Sequence, residues 1–424
     1  MPGRALRAGE ESVGQIKFFS SNPGQGWLPC NGDAVSKTRY PELVGLLDEG
    51  MASTALPIDA STYSTGWYFA ANGEVHTCRS RFTALGTTSF SYSSDGVNFT
   101  DYPTGLKTAV EAKLTAQYGS TIHTVQSAFL IHTGSQYVWF LSLYINAIGA
   151  CRVYAVSAST ISGTWTVNNN GVNAGDASES NRGIINAGYV AATGRYWFRD
   201  VVNNSISHST DLVSWTPAGV GAAGRGVTYH DGSQFVSVSN YSAAYYGSDL
   251  AALSSKALPQ ATYGLMKSTD GYYALKSGTV STDNTQTYSS STINGTYASA
   301  PHTAMLGTAP QYTISACYHP SVGVILQQGD ALTGSPASAL YQAKNLGDRR
   351  AYRQLRTSQT YPALFFGIYD AVTISGGFAA LSCQDYRGGL NANPMGSAVF
   401  RYGLVLPEIT PLGDGRQAYI RVYR

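Results

Sequence analysis

Ser93-Ser94-Asp95-Gly96-Val97-Asn98-Phe99 returns as Ser209-Thr210-Asp211-Leu212-Val213-Ser214-Trp215, and this recurrence decides the fold. A second pair, Ser159-Thr160-Ile161-Ser162-Gly163-Thr164-Trp165 and Ser291-Thr292-Ile293-Asn294-Gly295-Thr296-Tyr297, repeats the theme. Each motif closes a unit made of an apolar strand, a glycine-containing turn, a second strand, then serine-rich residues leading to an aromatic. Outward from these motifs, strand pairs fall at Phe129–Leu143, Ile184–Val202, Gly226–Ser239, Thr262–Lys276, Ile314–Gln327 and Leu364–Ser382. Gly66–Ala71 reads as the second strand of a first, shorter pair. His230-Asp231-Gly232-Ser233 and Ser268-Thr269-Asp270-Gly271 carry hairpin-turn chemistry. Seven units averaging about 50 residues approach the period of four-stranded propeller blades. A small twisted sheet cannot bury both faces alone, whereas a closed ring buries each face against a neighbour. The sequence therefore predicts an all-β protein built on a β-propeller of about seven blades.

The Ser-x-Asp-x-x-x-aromatic segments resemble degenerate Asp-box repeats, which occur in sialidase-like and related propellers. In that family the box is a turn between the third and fourth strands, away from the ligand face. The resemblance makes Asp95 and Asp211 turn-builders that hydrogen-bond backbone groups, not catalytic groups. One helix interrupts the repeat. Gly105–Tyr118 spaces Leu106, Val110 and Leu114 by four, with Thr104 before it and Gly119 after it as end signals.

Composition agrees with strands and turns. The chain has 46 Gly, 30 Tyr and only 12% charged residues, with 43% apolar. That is enough apolar surface to offset chain entropy, which argues against disorder. A net charge of +2 gives no broad field for nucleic acid. Met1–Gln15 holds Arg4, Arg7, Glu10 and Glu11 without an apolar core, unlike a secretory signal. Phe129–Cys151 carries no formal charge, but His132-Thr133-Gly134-Ser135-Gln136 breaks it into a hairpin rather than a membrane span. Cys30, Cys78, Cys151, Cys317 and Cys383 are scattered, which favours buried thiols over a disulfide framework or a zinc site.

The ends of the chain carry a second resemblance. Gly26-Trp27-Leu28-Pro29-Cys30-Asn31-Gly32, then Val35-Ser36, then Tyr40-Pro41-Glu42-Leu43 opening a short helix, resemble the phage tail-collar domain family. Leu56-Pro57-Ile58-Asp59 follows, and a family-like closing strand, Ala418-Tyr419-Ile420-Arg421-Val422, stands at the far end. The Gly-rich stretch usual after the helix is missing. The resemblance implies an N-terminal arm at 1–12 and a collar-like α+β domain split between 13–56 and 406–424. The propeller, 57–405, is inserted between its halves. It further implies a bacteriophage virion tail protein, made in the host cytoplasm and commonly trimeric, with other tail proteins as partners.

Reactive groups are sparse. Only Glu74, Glu111 and Glu179 lie between Pro57 and Leu406, whereas a glycosidase of the two-carboxylate kind needs a positioned pair. Asp283, Asp330 and Asp385 are the available aspartates for such a pair, and Arg182, Arg225 and Arg387 share no local motif. The seven histidines, His76, His123, His132, His208, His230, His302 and His319, have no metal-ligand spacing. No enzyme, metal or cofactor is expected. A virion-borne hydrolase of sialidase-like type and a purely structural tail or neck protein are the alternatives to a glycan-binding tail subunit.

If the Asp-box turns join third and fourth strands, second-to-third loops and blade connections share the opposite face. Candidate ligand-binding residues in the loops are Arg79, Asn146, Asn203, Asn204, Tyr241, Asp385, Tyr386 and Arg387. Arg182, Arg225 and His302 come from the connections. Tyrosine in loops offers stiff contact area with a polar tip, suited to a host-surface glycan. Arg349, Arg350, Arg353 and Arg356 form the one dense charge cluster. They suit a polyanion or acidic partner, or a solvated strand edge.

Overall fold

The computed structural model describes residues 12–55, 65–80, 88–96, 98–176, 184–200, 206–218, 228–239, 242–259, 262–268, 271–276, 286–301, the strands between 312 and 384, and 398–422. Within them the chain is a β-propeller with one α-helix. Seven sheets of four or more strands follow one another, and a separate three-stranded sheet gathers the chain ends.

The first sheet comprises Thr65–Ala71, Glu74–Ser80, Thr88–Ser93 and Thr100–Asp101, in that order. Thr65–Ala71 is thus a first strand, not the second strand read from the sequence. Asn72-Gly73, with φ of 54° and 75°, makes the two-residue hairpin turn behind it. The second sheet holds His123–His132, Tyr137–Ile145, Ala150–Ala158 and two short strands. The third, fourth, fifth and sixth sheets start at Ile184–Val190, Thr228–His230, Thr262–Ser268 and Tyr312–His319. The seventh starts at Phe366–Ile374, which touches Tyr312–His319 on one side and Thr65–Ala71 on the other, closing the ring.

Packing explains why Tyr137–Ile145 reads as apolar but for Ser142. Trp139 and Leu141 face the first sheet, among Phe69, Phe90 and Tyr102, with ring centroids of Phe69 and Trp139 5.5 Å apart. Val138 and Phe140 face the third sheet, against Phe198, Leu212 and Trp215. Both faces are core, so the period-two alternation vanishes. The same layering continues through Trp197 on Phe235, and through Val236 and Val238 on Leu265 and Tyr272. No helix among the described residues is long and apolar enough to cross a membrane.

The helix spans Gly105–Tyr118 between the first and second sheets and buries Leu106, Val110 and Leu114 in the core between them. Gly119, at φ 65°, ends it by donating its N–H to Thr115 O.

The two chain ends meet. Gln417–Arg421 lies between Ile16–Phe19 and Trp27–Pro29, pairing antiparallel with both. Below this sheet, Cys30, Tyr40, Leu43, Leu404, Leu406, Ile420 and Val422 form a separate small core. Tyr40-Pro41-Glu42-Leu43 contributes a single 3-10 turn, Pro41–Leu43. One boundary differs from the reading of the sequence. Glu49–Ala55, assigned there to the collar-like part, pairs with Ala398–Val405 and is a strand of the seventh sheet. Ala398–Val405 also pairs with Ala34–Val35, so ring and base share a strand. Gly403 permits this crossing, since a Cβ there would lie 2.2 Å from Val35 O.

Candidate functional site

The direction of the strands sorts the turns. First-to-second and third-to-fourth turns share one end of the ring, while second-to-third turns and sheet-to-sheet connections share the other.

The Asp turns lie at the first end and act as turns. Asp95 Oδ1 accepts the Asn98 N–H at 2.8 Å, and Ser93 Oγ accepts the Gly96 N–H at 2.9 Å. Asp211 Oδ1 accepts the N–H groups of Val213 and Ser214 at 2.8 Å each, which holds its carboxyl below the usual range. Gly96 and Leu212 occupy the same place with φ of 73° and 63°. Leucine tolerates the left-handed conformation there because its side chain is buried beside Phe198 and Trp215.

Among the described residues the same end carries three tyrosine clasps between neighbouring sheets, which the sequence reading did not find. The Tyr137 hydroxyl donates to Glu74 Oε2 at 2.9 Å and accepts from Asn72 Nδ2 at 3.0 Å. Gln136 Nε2 donates to the Tyr196 hydroxyl at 2.8 Å. The Tyr272 hydroxyl donates to Asp231 Oδ2 and accepts from Gln234 Nε2, with Lys267 Nζ 3.5 Å from the same carboxylate oxygen. Burial and the carboxylate raise Tyr272 to about 12, and burial likewise raises Tyr137 and Tyr196. A lowered pKa is one way to activate a phenol as a nucleophile, and these hydroxyls are shifted the other way. Burial alone would raise Asp231, but hydrogen bonds from Tyr272, Ser233 and Gln234 outweigh it and hold the carboxyl well below its ordinary value. These pairs fasten neighbouring sheets to one another.

The opposite end is the candidate binding end. Asn146 is exposed in the second-to-third turn of the second sheet, and its N–H donates to Ile122 O at 3.3 Å. Ile122 and Ile148 are 42% and 40% exposed beside it, an apolar rim absent from the sequence-derived candidates. Arg152 is the third residue of the next strand, Ala150–Ala158, and donates to Asn173 Oδ1 at 2.7 Å. Arg79 is not in a loop as read from the sequence. It is the penultimate residue of Glu74–Ser80, and its guanidinium donates to Ser89 Oγ, Ser91 Oγ and Asp101 Oδ1 at 3.1, 3.3 and 3.1 Å. Misreading Thr65–Ala71 as a second strand had shifted it into a loop.

Arg199 was missed altogether. It stands next to last in the run Tyr196-Trp197-Phe198-Arg199-Asp200, is 0% exposed, and donates to Ser237 Oγ at 2.8 Å and Val238 O at 3.0 Å on the fourth sheet. Burial lowers it to about 10, with Asp200 opposing the shift. A charge pair closing an otherwise apolar strand was the available signal.

Arg182, Asn203, Asn204, Arg225, Tyr241, His302, Asp385, Tyr386 and Arg387, with Arg349 and Arg350, lie outside the described residues. Arg353 sits on Arg353–Gln354, the last strand of the sixth sheet, and Arg356 on Arg356–Thr357, which pairs parallel with Glu49–Ala55. Arg353 and Arg356 thus stand on strands of the sixth and the seventh sheet.

No protein-family model and no curated protein sequence matches the chain. Among solved structures, YCF48 bound to D1 peptide is similar over 84% of this chain and 95% of that one, at 10% identity and a TM-score of 0.50. YCF48 from Cyanidioschyzon merolae gives 7% identity, coverage of 84% and 98%, and a TM-score of 0.50. An α-L-arabinanase of Penicillium chrysogenum complexed with arabinobiose gives 13% identity, coverage of 91% and 99%, and a TM-score of 0.41. The chain has a propeller fold. The expectation that it is no enzyme is corrected here, because enzymes stand among the structures it resembles. Scarcity of glutamate does not set catalysis aside in such a ring, where a site is assembled from distant loops.

Proposed function

We propose that the chain is a tail protein of a bacteriophage particle, with a collar-like base of paired chain ends and a ring that engages a host-surface glycan. The observation that carries this reading is the base itself. Trp27, from the family-like Gly-Trp-Leu-Pro-Cys-Asn-Gly string, pairs with Arg421 of the family-like closing strand, and the Arg421 guanidinium lies 5.5 Å from its ring centroid. Two motifs at opposite ends of the sequence therefore meet in one sheet. Exposed Ile16, Phe18, Val44, Leu46 and Leu412 on this base support attachment there to tail neighbours or further copies, a homotrimer among them.

Glycan binding belongs to the end bearing Asn146, Ile122 and Ile148, since the other end is occupied by Asp turns and tyrosine clasps. A glycan array with the purified full-length chain tests this, and chromatography of host polysaccharide after incubation reads any turnover. Binding to a host glycan supports the reading. No binding, with the chain located in the particle by electron microscopy, leaves the structural tail protein. Absence from the particle overturns the proposal.

A further inference from the structure

Two hairpins at the clasp end share a sequence and a geometry. His132-Thr133-Gly134-Ser135-Gln136 joins the first two strands of the second sheet, and His230-Asp231-Gly232-Ser233-Gln234 does the same in the fourth. In both, the glycine N–H donates to the histidine Nδ1 at 3.2 Å, with Gly134 and Gly232 at φ of 94° and 96°. In both, the N–H of the second residue donates to the carbonyl of the glutamine, at 3.0 and 2.9 Å. The glutamine amide then reaches the tyrosine of the next sheet, Tyr196 or Tyr272.

We propose that these two histidine turns are acid-sensitive latches, firm when the imidazole is neutral and loosened when it takes a proton, at the seams between the second and third and the fourth and fifth sheets. A backbone N–H can only donate, so Nδ1 must keep its lone pair and the ring proton must sit on Nε2. Protonation converts Nδ1 into a donor facing a donor. The hairpin then loses the bond that fixes its glycine, and the glutamine that grips the neighbouring tyrosine rides on that hairpin.

The surroundings do not rescue the charged form. His132 packs on the Tyr137 ring at 4.6 Å and faces Glu74 and His76 from the first sheet. His230 packs on Phe235 at 5.1 Å and faces Asp231 and, from the fifth sheet, Lys267. Burial lowers both imidazoles, and the nearby carboxylates only offset it in part. Each base is held below its unfolded value of 6.5, so the unfolded chain takes the proton first. The stability they contribute is complete above that value, starts to fall as pH drops below it, and is gone once pH has passed the lowered folded-state value. Glu74 and Asp231, both held low, give up their share only at more acidic pH.

The chain itself supplies the control. Asn22 Oδ1 and Asn31 Oδ1 accept the N–H two residues on, at 2.9 and 3.1 Å, the same cap without a titrating group. Amide hydrogen exchange, corrected for intrinsic rates, is compared between about pH 7.5 and about pH 5 in the full chain. In the parent, protection of 131–136 and 229–234 should fall at least about tenfold relative to strand 138–145, as an acceptor turned donor implies. In the His132→Asn, His230→Asn double variant the fall should disappear. An equal fall in the variant, or none in the parent, overturns the proposal. If the variant does not fold, NMR titration of the parent decides. Imidazole pKa values for His132 and His230 at or above the ordinary histidine value overturn it, and values below support it.

Discussion

The two ends of the ring solve the problem of buried polar groups differently. At the clasp end, short hairpins bring glutamine, asparagine and carboxylate side chains onto tyrosine hydroxyls of the next sheet. At the other end, Arg79 joins strands within its own sheet and the fully buried Arg199 crosses to Ser237 and Val238, whereas the arginine join of the clasp end, Arg195 to Asp249, is more exposed. Hydrogen-bonded clasps, reinforced by the Lys267–Asp231 and Arg195–Asp249 ion pairs, suit a surface that must close. Arginine pins, with connections beyond them free to vary, suit an end that presents loops.

The largest expected effect is at Arg199. Arg199→Met should destabilise the ring by about 3 kcal/mol, because Asp200 and the Ser237 hydroxyl lose a fully buried partner. Denaturant unfolding reads this. A loss no greater than that of Arg79→Met would erase the contrast between a pin across sheets and one within a sheet. Next come the clasps. Tyr137→Phe should cost about 2 kcal/mol, as its hydroxyl serves both a carboxylate and an amide, and Tyr196→Phe about 1 kcal/mol, with its single neutral amide donor. Equal losses would show that charge adds nothing at this end.

Leu212→Gly separates backbone from packing. Releasing the left-handed leucine returns roughly 1 kcal/mol, while emptying its place beside Phe198 and Trp215 costs about 3 kcal/mol, so a net loss of about 2 kcal/mol is expected. A neutral or stabilised variant would mean that the turn, not the core, dominates there. The smallest effect is at Asn146. Asn146→Ala should leave stability within about 0.5 kcal/mol, since the side chain is exposed, while weakening glycan binding.

Much of this was legible in the sequence because it is local. The Asp95 and Asp211 turns are built within a few residues, and the helix carries its own spacing at Leu106, Val110 and Leu114. What could not be read depends on partners far along the chain. Glu49–Ala55 finds its place only against Ala398–Val405, across the whole ring. The link from Gln136 to Tyr196 exists only once two sheets are in register. Arg79 was misplaced by one strand because the Asn72-Gly73 turn was overlooked, although that dipeptide is itself a strong hairpin signal. Arg182 and the ligand candidates beyond Asp200 fall outside the described residues, so only Asn146 of the loop residues has a described position.

The central claim is that the ring binds through the end opposite the clasps. Binding of the purified full-length chain to host-surface polysaccharide, measured by isothermal titration calorimetry, tests it directly when two sets of exposed variants are compared. One set is Asn146→Ala and Ile148→Ser. The other is Ser135→Ala and Ser233→Ala, in the clasp-end turns. The account predicts that the first set weakens binding at least about tenfold, the loss of roughly 1.4 kcal/mol expected for one well-placed contact, while the second leaves it unchanged. Weakened binding in the clasp-end set, with the first set unaffected, would contradict it.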